Sequence, residues 1–388
     1  MKKKILIVKR ADLEFDIRCQ RISTHLSQDY DVTIIGTDLS PTIPIKQIKI
    51  ADFDHARLSI PGRAYRKFRR EILLRKIQDK PFDYRLSKDK WNLDLIKFLN
   101  SNQFQVVIAC DIDSITSFLN SRSKAKLIGD LHEHAPTELA NSPGWINRVG
   151  NYRKWQCETF LPEVKELYTV STSLAKLYES EFDLPKVHIL RNVAPYNQRI
   201  RPARAQRPLN FIHHGIAAPI RGLEEHAKLA SSLGLKYSVS MLLKPVDFEY
   251  YRFLKGVQKI VGNFHVLEPV EPAEMISKIS RFDAGVYLLN PSTPQLEVTL
   301  PNKFFEFIQA RLPIFSGGLK EIDELIDRYG VGLKLGTFDG LEASRVIKSN
   351  HDLDWKTMHE NLDFAAKELS AEVEFKKISL KIEKLLAN

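Results

Sequence analysis

Short apolar runs alternate with amphipathic segments along most of the chain, and this alternation predicts parallel strands separated by helices. In the first half, the apolar runs predict strands at Ile5–Val8, Val32–Ile35, Val106–Ala109, Lys126–Ile128, Leu167–Val170 and Val187–Leu190. Between them, helical periodicity predicts helices at Ile17–Leu26, Leu93–Leu99, Asn147–Phe160 and Leu174–Phe182. The pattern therefore predicts a doubly wound α/β domain over residues 1–193.

The pattern breaks after Asn192, and a second α/β series begins at Leu209. Residues 194–208 are rich in proline and arginine without periodicity, which predicts an exposed linker. The second series, over 209–370, predicts strands at Leu209–His213, Tyr237–Leu243, Phe264–Leu267, Ala284–Leu288 and Pro313–Phe315. A charged amphipathic helix is predicted within 371–388. Two such domains are expected to face a cleft lined by the carboxyl ends of their strands.

Composition limits the class of protein. The chain has 388 residues, of which 43% are hydrophobic, enough for two cores. No apolar run reaches the roughly 18 residues that span a bilayer. The run Ile5–Val8 stops at Lys9-Arg10, which favours a strand over a signal peptide. Cys19, Cys110 and Cys157 are far apart and odd in number, so we expect neither a disulfide framework nor a metal site, in a reducing cytoplasm.

The formal net charge of +10 predicts acidic partners. Basic residues crowd Arg63–Lys80, where Arg63, Arg66, Lys67 and Arg70 would form one helical stripe. Tyr65, Phe68 and Ile72 would form another, as in a basic amphipathic helix on an anionic membrane. An ordinary solvated helix fits the pattern equally. Nucleic acid is not expected as a partner, because no zinc finger, aromatic RNA-binding motif or glycine-rich clamp accompanies the charge.

The segment from Leu300 to Ile314 carries the most specific chemistry. It predicts a helix with Pro301 in its first turn, followed by a buried strand. Asn302 and Glu306 are four residues apart and share a helix face near its N-terminus. A carboxylate suited to sugar hydroxyls would then lie beside Lys303 and a helix end that favours phosphate.

This segment resembles the LPNKxFEY motif of family 4 glycosyltransferases, which are retaining enzymes of GT-B architecture. Four further segments resemble motifs of the same family: Asp16-Ile17-Arg18, Cys110-Asp111-Ile112-Asp113, Asp130-Leu131-His132-Glu133, and the loop from His214-Gly215 to Arg221-Gly222. The resemblance implies two Rossmann-like domains facing a cleft, with the last helix returning to the N-terminal domain.

The resemblance also implies roles for individual residues. Glu306 would hold the ribose of a sugar nucleotide, and Arg221 would neutralise its diphosphate. Lys244 or Lys303 would supply the second cation, and Asn302 belongs to the same binding segment. His132 would contact the transferred sugar or the leaving phosphate. The predicted catalytic residues are therefore His132, Arg221 and Glu306, with no metal and no cofactor besides the donor substrate.

The chain departs from the family pattern in three places. Lys9–Asp12 replaces a glycine pair after the first strand, and Ile216–Ala218 replaces a usual arginine. The first of the family's two glutamates would fall on Val298. Either the neighbouring Glu297 takes its place or backbone N–H groups do. Asp16 and Arg18 are placed near the acceptor by location alone, and the aspartates after Cys110 are expected to cap a helix rather than hold a metal.

The resemblance, together with the basic segment, implies a retaining, metal-independent, hexosyltransferase-like enzyme of bacterial surface polysaccharide synthesis. Its partners would be a nucleotide-sugar donor and a glycan or lipid-linked acceptor, at the inner face of the membrane. One alternative is a sugar-nucleotide epimerase or hydrolase, which would turn over donor without an acceptor. Another is a non-catalytic GT-B scaffold or basic nucleic-acid binder, which would show steep salt-dependent binding to nucleic acid.

Overall fold

The computed structural model describes residues 2–52, 81–142, 144–200 and 209–387. The chain divides into two compact units. Unit 1 comprises Met1–Arg191 and Phe375–Asn388, and unit 2 comprises Asn192–Glu374. Each unit is built on one parallel β-sheet. The predicted class, two parallel α/β domains, is confirmed.

Unit 1 contains a seven-stranded parallel sheet in the order β3-β2-β1-β4-β5-β6-β7. Its strands are β1 Lys4–Lys9, β2 Asp31–Gly36, β3 Lys46–Lys49, β4 Val106–Cys110, β5 Lys126–Leu131, β6 Leu167–Thr169 and β7 His188–Ile189. Its described helices are Ile17–Leu26, Phe82–Lys88, Lys90–Ser101, Asp111–Leu119, Asn151–Phe160 and Thr172–Glu181. The strand order reverses between β1 and β4. At such a switch point a doubly wound sheet binds its ligands.

Unit 2 repeats the same winding with six parallel strands, ordered β10-β9-β8-β11-β12-β13. The strands are β8 Leu209–Ala217, β9 Tyr237–Pro245, β10 Phe264–Leu267, β11 Ala284–Tyr287, β12 Ile314–Ser316 and β13 Gly332–Lys334. The helices are Glu224–Leu233, Phe248–Gln258, Met275–Ile279, Pro294–Glu297, Asn302–Gln309, Lys320–Tyr329, Gly340–Ser349 and Trp355–Glu368. Its switch point lies between β8 and β11.

Local sequence explains the first helix well. Asp16 caps it, because its Oδ1 accepts a hydrogen bond from Cys19 N at 2.9 Å. Cys19, Ile22 and Leu26 recur at helical spacing and are all buried. Across the sheet, the core of unit 1 is built on apolar strand residues and one face of the helix Lys90–Ser101. Its members include Leu6, Val8, Ile35, Trp91, Leu95, Leu99 and Val107.

Some predicted elements need correction. Pro301 is not in the first turn of its helix: it precedes Asn302 in an extended conformation, so its missing N–H lies outside the helix. The helix predicted from Asn147 begins at Asn151 and is preceded by a π-turn at Ile146–Gly150. Strands β3 and β13 were not predicted, because Lys46–Lys49 and Gly332–Lys334 are short edge strands without an apolar run.

The described part of the predicted linker, residues 194–200, is held by side chains of unit 2. Glu372 accepts a hydrogen bond from Tyr196 N at 3.0 Å, and Gln309 accepts one from Asn197 N at 3.2 Å. The fully buried Arg311 donates to Asn197 O at 3.1 Å. Such distant partners leave no local pattern in the sequence. Pro195, Gln198 and Arg199 are exposed, whereas Ala194 is buried and Tyr196 is half-buried.

The last helix, Ala371–Ala387, starts in unit 2 and belongs to unit 1 from Phe375 onward. Within unit 1, His25 Nε2 lies 3.1 Å from Ser379 Oγ, and Lys381 pairs with Glu166 at 2.8 Å. None of the described helices is long and apolar enough to cross a membrane. The basic segment Arg63–Lys80 and residues 201–208 lie outside the described residues.

Candidate functional site

The predicted donor-binding residues of unit 2 gather at the carboxyl edge of its sheet, around the switch point. The strand β8 brings His213, His214 and Gly215 to this edge, and β11 brings Val286 and Tyr287. The ring Nδ1 of His213 lies 3.0 Å from Val286 O and ties the two strands together. This is the position where a doubly wound sheet offers a crevice for a ligand.

The helix Asn302–Gln309 is positioned over this edge by its aromatic face. Phe307 packs against Gly285 of β11 so closely that a Cβ there would lie 2.6 Å from Phe307 Cγ. Phe307 also meets the ring of His214 edge-on, with centroids 5.2 Å apart. Because Lys303 and Glu306 are three residues apart, their side chains lie close together on this helix, and both are partly exposed.

Lys303 extends over the backbone of Gly215. A Cβ at position 215 would lie 2.8 Å from Lys303 Cε and 3.1 Å from Nζ, and Gly215 has a φ of +150°. Glycine is therefore needed here for its backbone conformation, and any side chain at this position would displace the end of Lys303. Burial and the nearby Arg221 guanidinium lower the pKa of Lys303 to about 8, against the opposing effect of Glu306. An anionic ligand would restore the charged form of this ammonium group.

Among the described residues, the Glu306 carboxylate opposes the lowering of the Lys303 pKa. Its side chain is 18% exposed. One of its carboxylate oxygens, Oε2, lies 3.4 Å from His214 Nε2. Burial and the charge of Lys303 lower the pKa of His214 to about 3, so this imidazole is neutral at physiological pH. The His214–Glu306 contact is therefore not an ion pair.

The structure places the remaining predicted donor residues nearby. Arg221 ends a short 3₁₀ turn, Pro219–Arg221, and Gly222 follows it in the left-handed region with a φ of +55°. Arg221 contributes to the electrostatic environment of both Lys303 and Tyr287. Lys244 is paired in register with Ile216 on the adjacent strand and is exposed. Asn302 is the exposed first residue of its helix.

His132, the predicted catalytic residue of unit 1, lies at the carboxyl end of β5 within a network of charged side chains. Its Nε2 is 3.0 Å from Asp130 Oδ2, and its Nδ1 is 3.0 Å from Lys9 Nζ. Its backbone N–H donates to Asp111 Oδ1 at 2.8 Å. Asp130 in turn accepts two hydrogen bonds from Arg18, at 2.9 and 2.6 Å, and this ion pair is almost completely buried.

The protonation of His132 is set by opposing effects. Burial and Lys9 lower its pKa, but the carboxylates of Asp111 and Asp130 outweigh them and raise it to about 10. The geometry opposes a second ring proton, because Nδ1 faces the Lys9 ammonium and two N–H donors cannot bond to each other. We therefore assign one proton to Nε2, facing Asp130. A doubly protonated ring requires Lys9 to move away from Nδ1.

Lys9, which the sequence analysis treated only as a departure from a glycine motif, is central to this network. Burial lowers its pKa, but Asp111 and Asp16 outweigh burial and raise it above the usual lysine value. Lys9 pairs with Asp111 and lies 3.9 Å from Asp16. The signal in the sequence was the pair of basic residues directly after a buried strand, a position where α/β sheets bind ligands.

Arg10 occupies the neighbouring position and is held by three carboxylates. It donates to Asp52 at 3.2 and 2.8 Å and to Asp89 at 2.6 and 3.1 Å, and lies 3.6 Å from Asp113. Its guanidinium group also lies 5.3 Å from the centre of the Trp91 ring. With these partners Arg10 is a structural cation, and its donors are engaged by the protein itself.

The aspartates after Cys110 do not cap the helix Asp111–Leu119, so this prediction is wrong. Asp111 is itself the first helical residue and has a φ of +60°. Burial raises its pKa, but Lys9 and His132 outweigh this and lower it to about 2. Asp113 pairs with Arg10 and with Arg153, the latter at 3.5 Å. Both carboxylates thus serve ion pairs instead of a helix cap.

Arg18 and Asp16, which the sequence placed near an acceptor, take up different positions. Arg18 is 2% exposed and bound to Asp130, so it supports His132 indirectly. Asp16 caps the first helix, and its side chain is 10% exposed. Glu133 was not singled out: burial, Glu138 and Asp111 raise the pKa of its carboxyl group to about 7.

Comparison with known proteins reveals a shared fold. No protein-family model and no curated protein matches the sequence. Solved structures do match. Sucrose-phosphate synthase from Thermosynechococcus elongatus aligns with a TM-score of 0.69 and 12% identity over 100% of both chains. A glycosyltransferase from Rickettsia africae aligns with a TM-score of 0.68 and 11% identity over 100% of this chain and 99% of that one.

A third structure is Anabaena HepE in complex with UDP and glucose. It aligns with a TM-score of 0.67 and 9% identity, over 98% of this chain and 100% of HepE. These neighbours are glycosyltransferases of GT-B fold. This chain has the GT-B fold. The predicted fold class is thereby confirmed, whereas at 9–12% identity membership of family 4 stays a prediction.

Proposed function

We propose that the protein is a glycosyltransferase that moves a sugar from a nucleotide-sugar donor to a hydroxyl group of an acceptor. One observation carries this proposal: Lys303, Arg221 and Glu306 meet at the β8/β11 switch point of a GT-B fold. Two cations and one carboxylate at that edge match a nucleoside diphosphate, whose phosphates need positive charge and whose ribose offers hydroxyl groups.

In this proposal the residues of unit 2 stabilise the leaving diphosphate. Lys303 and Arg221 would neutralise the charge that develops as the glycosidic bond breaks, and the N-terminus of the helix Asn302–Gln309 would add its dipole. Glu306 would accept hydrogen bonds from the ribose. Lys244 and Asn302 remain predicted contacts to the donor, and His132 a predicted contact to the sugar or the leaving phosphate.

We further propose that transfer needs no metal and retains the anomeric configuration. Two side-chain cations and a helix end would supply the charge that a divalent metal provides in other transferases. A front-face reaction needs no carboxylate nucleophile, so the diphosphate and the acceptor hydroxyl would share one face of the sugar. Family membership and a hexose as the transferred sugar are part of the same proposal, and both rest on the resemblance of the Leu300–Phe307 segment.

The proposed setting is bacterial surface polysaccharide synthesis, with a glycan or lipid-linked acceptor at the inner face of the membrane. The basic segment Arg63–Lys80 supports this setting, because lipid-linked acceptors lie on an anionic surface. Binding of the full chain to vesicles containing anionic lipid, and its loss on charge reversal of this segment, is the expected result. Equal binding to neutral vesicles would remove the membrane from the proposal.

The test of the proposed function is donor turnover. HepE binds UDP and glucose, so UDP-hexoses are the first donors to try, followed by GDP- and ADP-hexoses. The protein is treated with a chelator and incubated with each donor and a mixture of glycan acceptors. We expect acceptor-dependent release of one nucleoside diphosphate and, by NMR, a product with the anomeric configuration of the donor. Release without acceptor would instead indicate a hydrolase, and inversion would exclude the retaining mechanism.

A further inference from the structure

Two cysteines that are 91 residues apart in the sequence meet at the edge of the sheet in unit 1. Cys19 lies in the first helix and Cys110 ends β4, and their sulfur atoms are 3.6 Å apart. Both side chains are buried, and neither forms a disulfide. The proposed glycosyl transfer makes no use of either thiol.

A third metal-binding side chain completes the group. One nitrogen of His132 and the two sulfur atoms all lie within 4.8 Å of one another. Two thiolates and an imidazole are the ligands that Zn²⁺ and related thiophilic cations favour. Two Zn–S bonds of about 2.3 Å at the tetrahedral angle hold their sulfur atoms about 3.8 Å apart. The observed 3.6 Å therefore needs almost no movement of either cysteine.

The charges around the thiols also allow a cation. Lys9 and Arg18 are the neighbouring cations, and both interact electrostatically with the two cysteines. Asp16, Asp111 and Asp130 supply three carboxylates against these two cations, which leaves one negative charge in excess. Because a divalent cation would displace one proton from each thiol, its binding would leave this net charge unchanged.

We propose that Cys19, Cys110 and His132 form a binding site for a thiophilic divalent cation of the Zn²⁺ type, and that its occupancy withdraws His132 from its present partners. His132 has Lys9 on Nδ1 and Asp130 on Nε2, so metal binding through either nitrogen breaks one of these contacts. This cation plays no part in the proposed glycosyl transfer. It would be a regulatory or inhibitory ligand of unit 1.

The cation would enter from the side of His132. The thiols are buried, whereas the side chains of His132 and Lys9 are each 12% exposed and that of Asp111 is 31% exposed. Lys9 can leave His132 without losing its charge partners, because it already pairs with Asp111 and lies near Asp16. Binding through Nδ1 would displace the Lys9 contact, and binding through Nε2 would displace the Asp130 contact.

The test uses Co²⁺ as a spectroscopic substitute for Zn²⁺, on the full chain, reduced and freed of metal by a chelator. No sugar nucleotide is present, so the result does not depend on the proposed function. We expect one equivalent of Co²⁺ to bind with a thiolate-to-metal charge-transfer band and tetrahedral ligand-field bands. Added Zn²⁺ should abolish both. Absence of the charge-transfer band would overturn the proposal.

Cysteine variants then locate the site. Cys19→Ser and Cys110→Ser should each weaken the charge-transfer band and lower the affinity for Co²⁺ at least tenfold, while His132→Gln should lower the affinity with both thiolates retained. The matched control is Cys157→Ser, which removes the third buried cysteine, in the helix Asn151–Phe160. A band that persists in the Cys19→Ser/Cys110→Ser double variant, or is lost in Cys157→Ser, would contradict the assignment.

A measurement on the unsubstituted protein covers the case in which a cysteine variant fails to fold. The protein is alkylated slowly with a maleimide, with and without Zn²⁺, and the labelled peptides are quantified by mass spectrometry. We expect Zn²⁺ to slow labelling of Cys19 and Cys110 at least tenfold and to leave Cys157 unchanged. If Zn²⁺ leaves the labelling rates of all three cysteines unchanged, a site at this position is excluded.

Discussion

The carboxyl edges of the two sheets have the same topology but opposite chemistry. At the β8/β11 switch point of unit 2, burial and the Arg221 guanidinium lower the pKa of Lys303, and one carboxylate, Glu306, opposes them. At the β1/β4 switch point of unit 1, Lys9 and Arg10 are each already paired with carboxylates. The first edge can still gain from binding an anion, whereas the cations of the second are neutralised by the protein.

This difference shows that a switch point fixes where a ligand binds but not which ligand it is. Arg10 alone contacts Asp52, Asp89 and Asp113, so its donors are committed to the protein. Lys303 lies over Gly215, where burial and the Arg221 guanidinium lower the pKa of its ammonium group. This difference supports the proposal that the diphosphate of the donor binds to unit 2.

The substitution with the largest expected effect removes the carboxylate from the buried ion pair of unit 1. Asp130→Ala leaves the buried Arg18 without its carboxylate, and loss of one partner of a buried pair costs roughly 3–5 kcal/mol. The free energy of unfolding of unit 1 should fall by that amount. Urea unfolding checks this by tryptophan fluorescence, because Trp91, Trp145 and Trp155 all belong to unit 1.

The matched control for this change is an exposed pair. Within unit 1, Lys49 Nζ and Asp38 Oδ1 are 2.9 Å apart, but the two side chains are 47% and 56% exposed. Lys49→Gln should change the free energy of unfolding of unit 1 by no more than about 1 kcal/mol. Equal effects of the two substitutions would mean that the charged network of unit 1 is not structural.

The second prediction concerns acid stability and separates the two units. Burial lowers the pKa values of His213, His214 and His226 in unit 2, the last to about 4. As the pH falls, these histidines bind protons in the unfolded chain but stay neutral in the folded unit. The stability of unit 2 should be complete above the unfolded value of about 6.5 and fall towards pH 4, by up to about 1.4 kcal/mol per pH unit for each histidine.

Hydrogen exchange of unit 2 peptides between pH 7 and 4.5, corrected for the intrinsic effect of pH, measures this loss. His226→Phe should reduce the pH dependence, because one of the excluded protons is removed. His213 and His226 have ring centroids 4.4 Å apart, so the phenylalanine keeps an aromatic contact. An unchanged dependence in this variant would show that the buried histidines do not control acid stability.

The third prediction concerns Glu306, the predicted ribose ligand, and compares it with Glu297, the candidate for the first glutamate of the family motif. Loss of a hydrogen bond to a charged group costs about 1.5–3 kcal/mol, so Glu306→Gln should weaken binding of a nucleoside diphosphate roughly 10- to 100-fold. Glu297 is exposed at the end of the short helix Pro294–Glu297 and makes a matched control. Glu297→Gln should weaken nucleotide binding less than about 2-fold. The reverse order, measured by calorimetry, would move the ribose site to Glu297.

The features that could be predicted from the sequence are those that depend on residues close together along the chain. The helix Ile17–Leu26 was predicted with its observed bounds, because its cap and apolar spacing lie within ten residues. The clustering of Lys303 and Glu306 followed from helical spacing. The Cys19–Cys110 contact did not, because it depends on packing of the first helix against β4, and their separation in sequence had suggested no site.

Two further features could not be predicted from the sequence, for the same reason. Asp111 has a positive φ, and nothing in the residues Cys110–Asp113 distinguishes this conformation from an ordinary helix cap. The sequence likewise gave no sign that Arg10 would be neutralised, because Asp52 and Asp89 come from distant segments. The departure Lys9-Arg10 was visible, but its meaning depended on partners that only the fold assembles.

The most direct test of the central claim is calorimetry of nucleoside diphosphate binding at pH 8, in two buffers of different ionisation enthalpy. UDP, GDP and ADP are compared in the presence of a chelator. Because the pKa of Lys303 is lowered to about 8, this group is partly deprotonated in the free protein at pH 8. Binding should therefore take up protons, and affinity should fall as pH rises further. Lys303→Met should abolish the proton uptake and weaken binding at least tenfold.

Lys320→Met, at an exposed lysine of unit 2, and Asp111→Asn in unit 1 should change neither. Absence of binding for all three nucleotides, or binding that survives Lys303→Met and is lost in Asp111→Asn, would contradict the account.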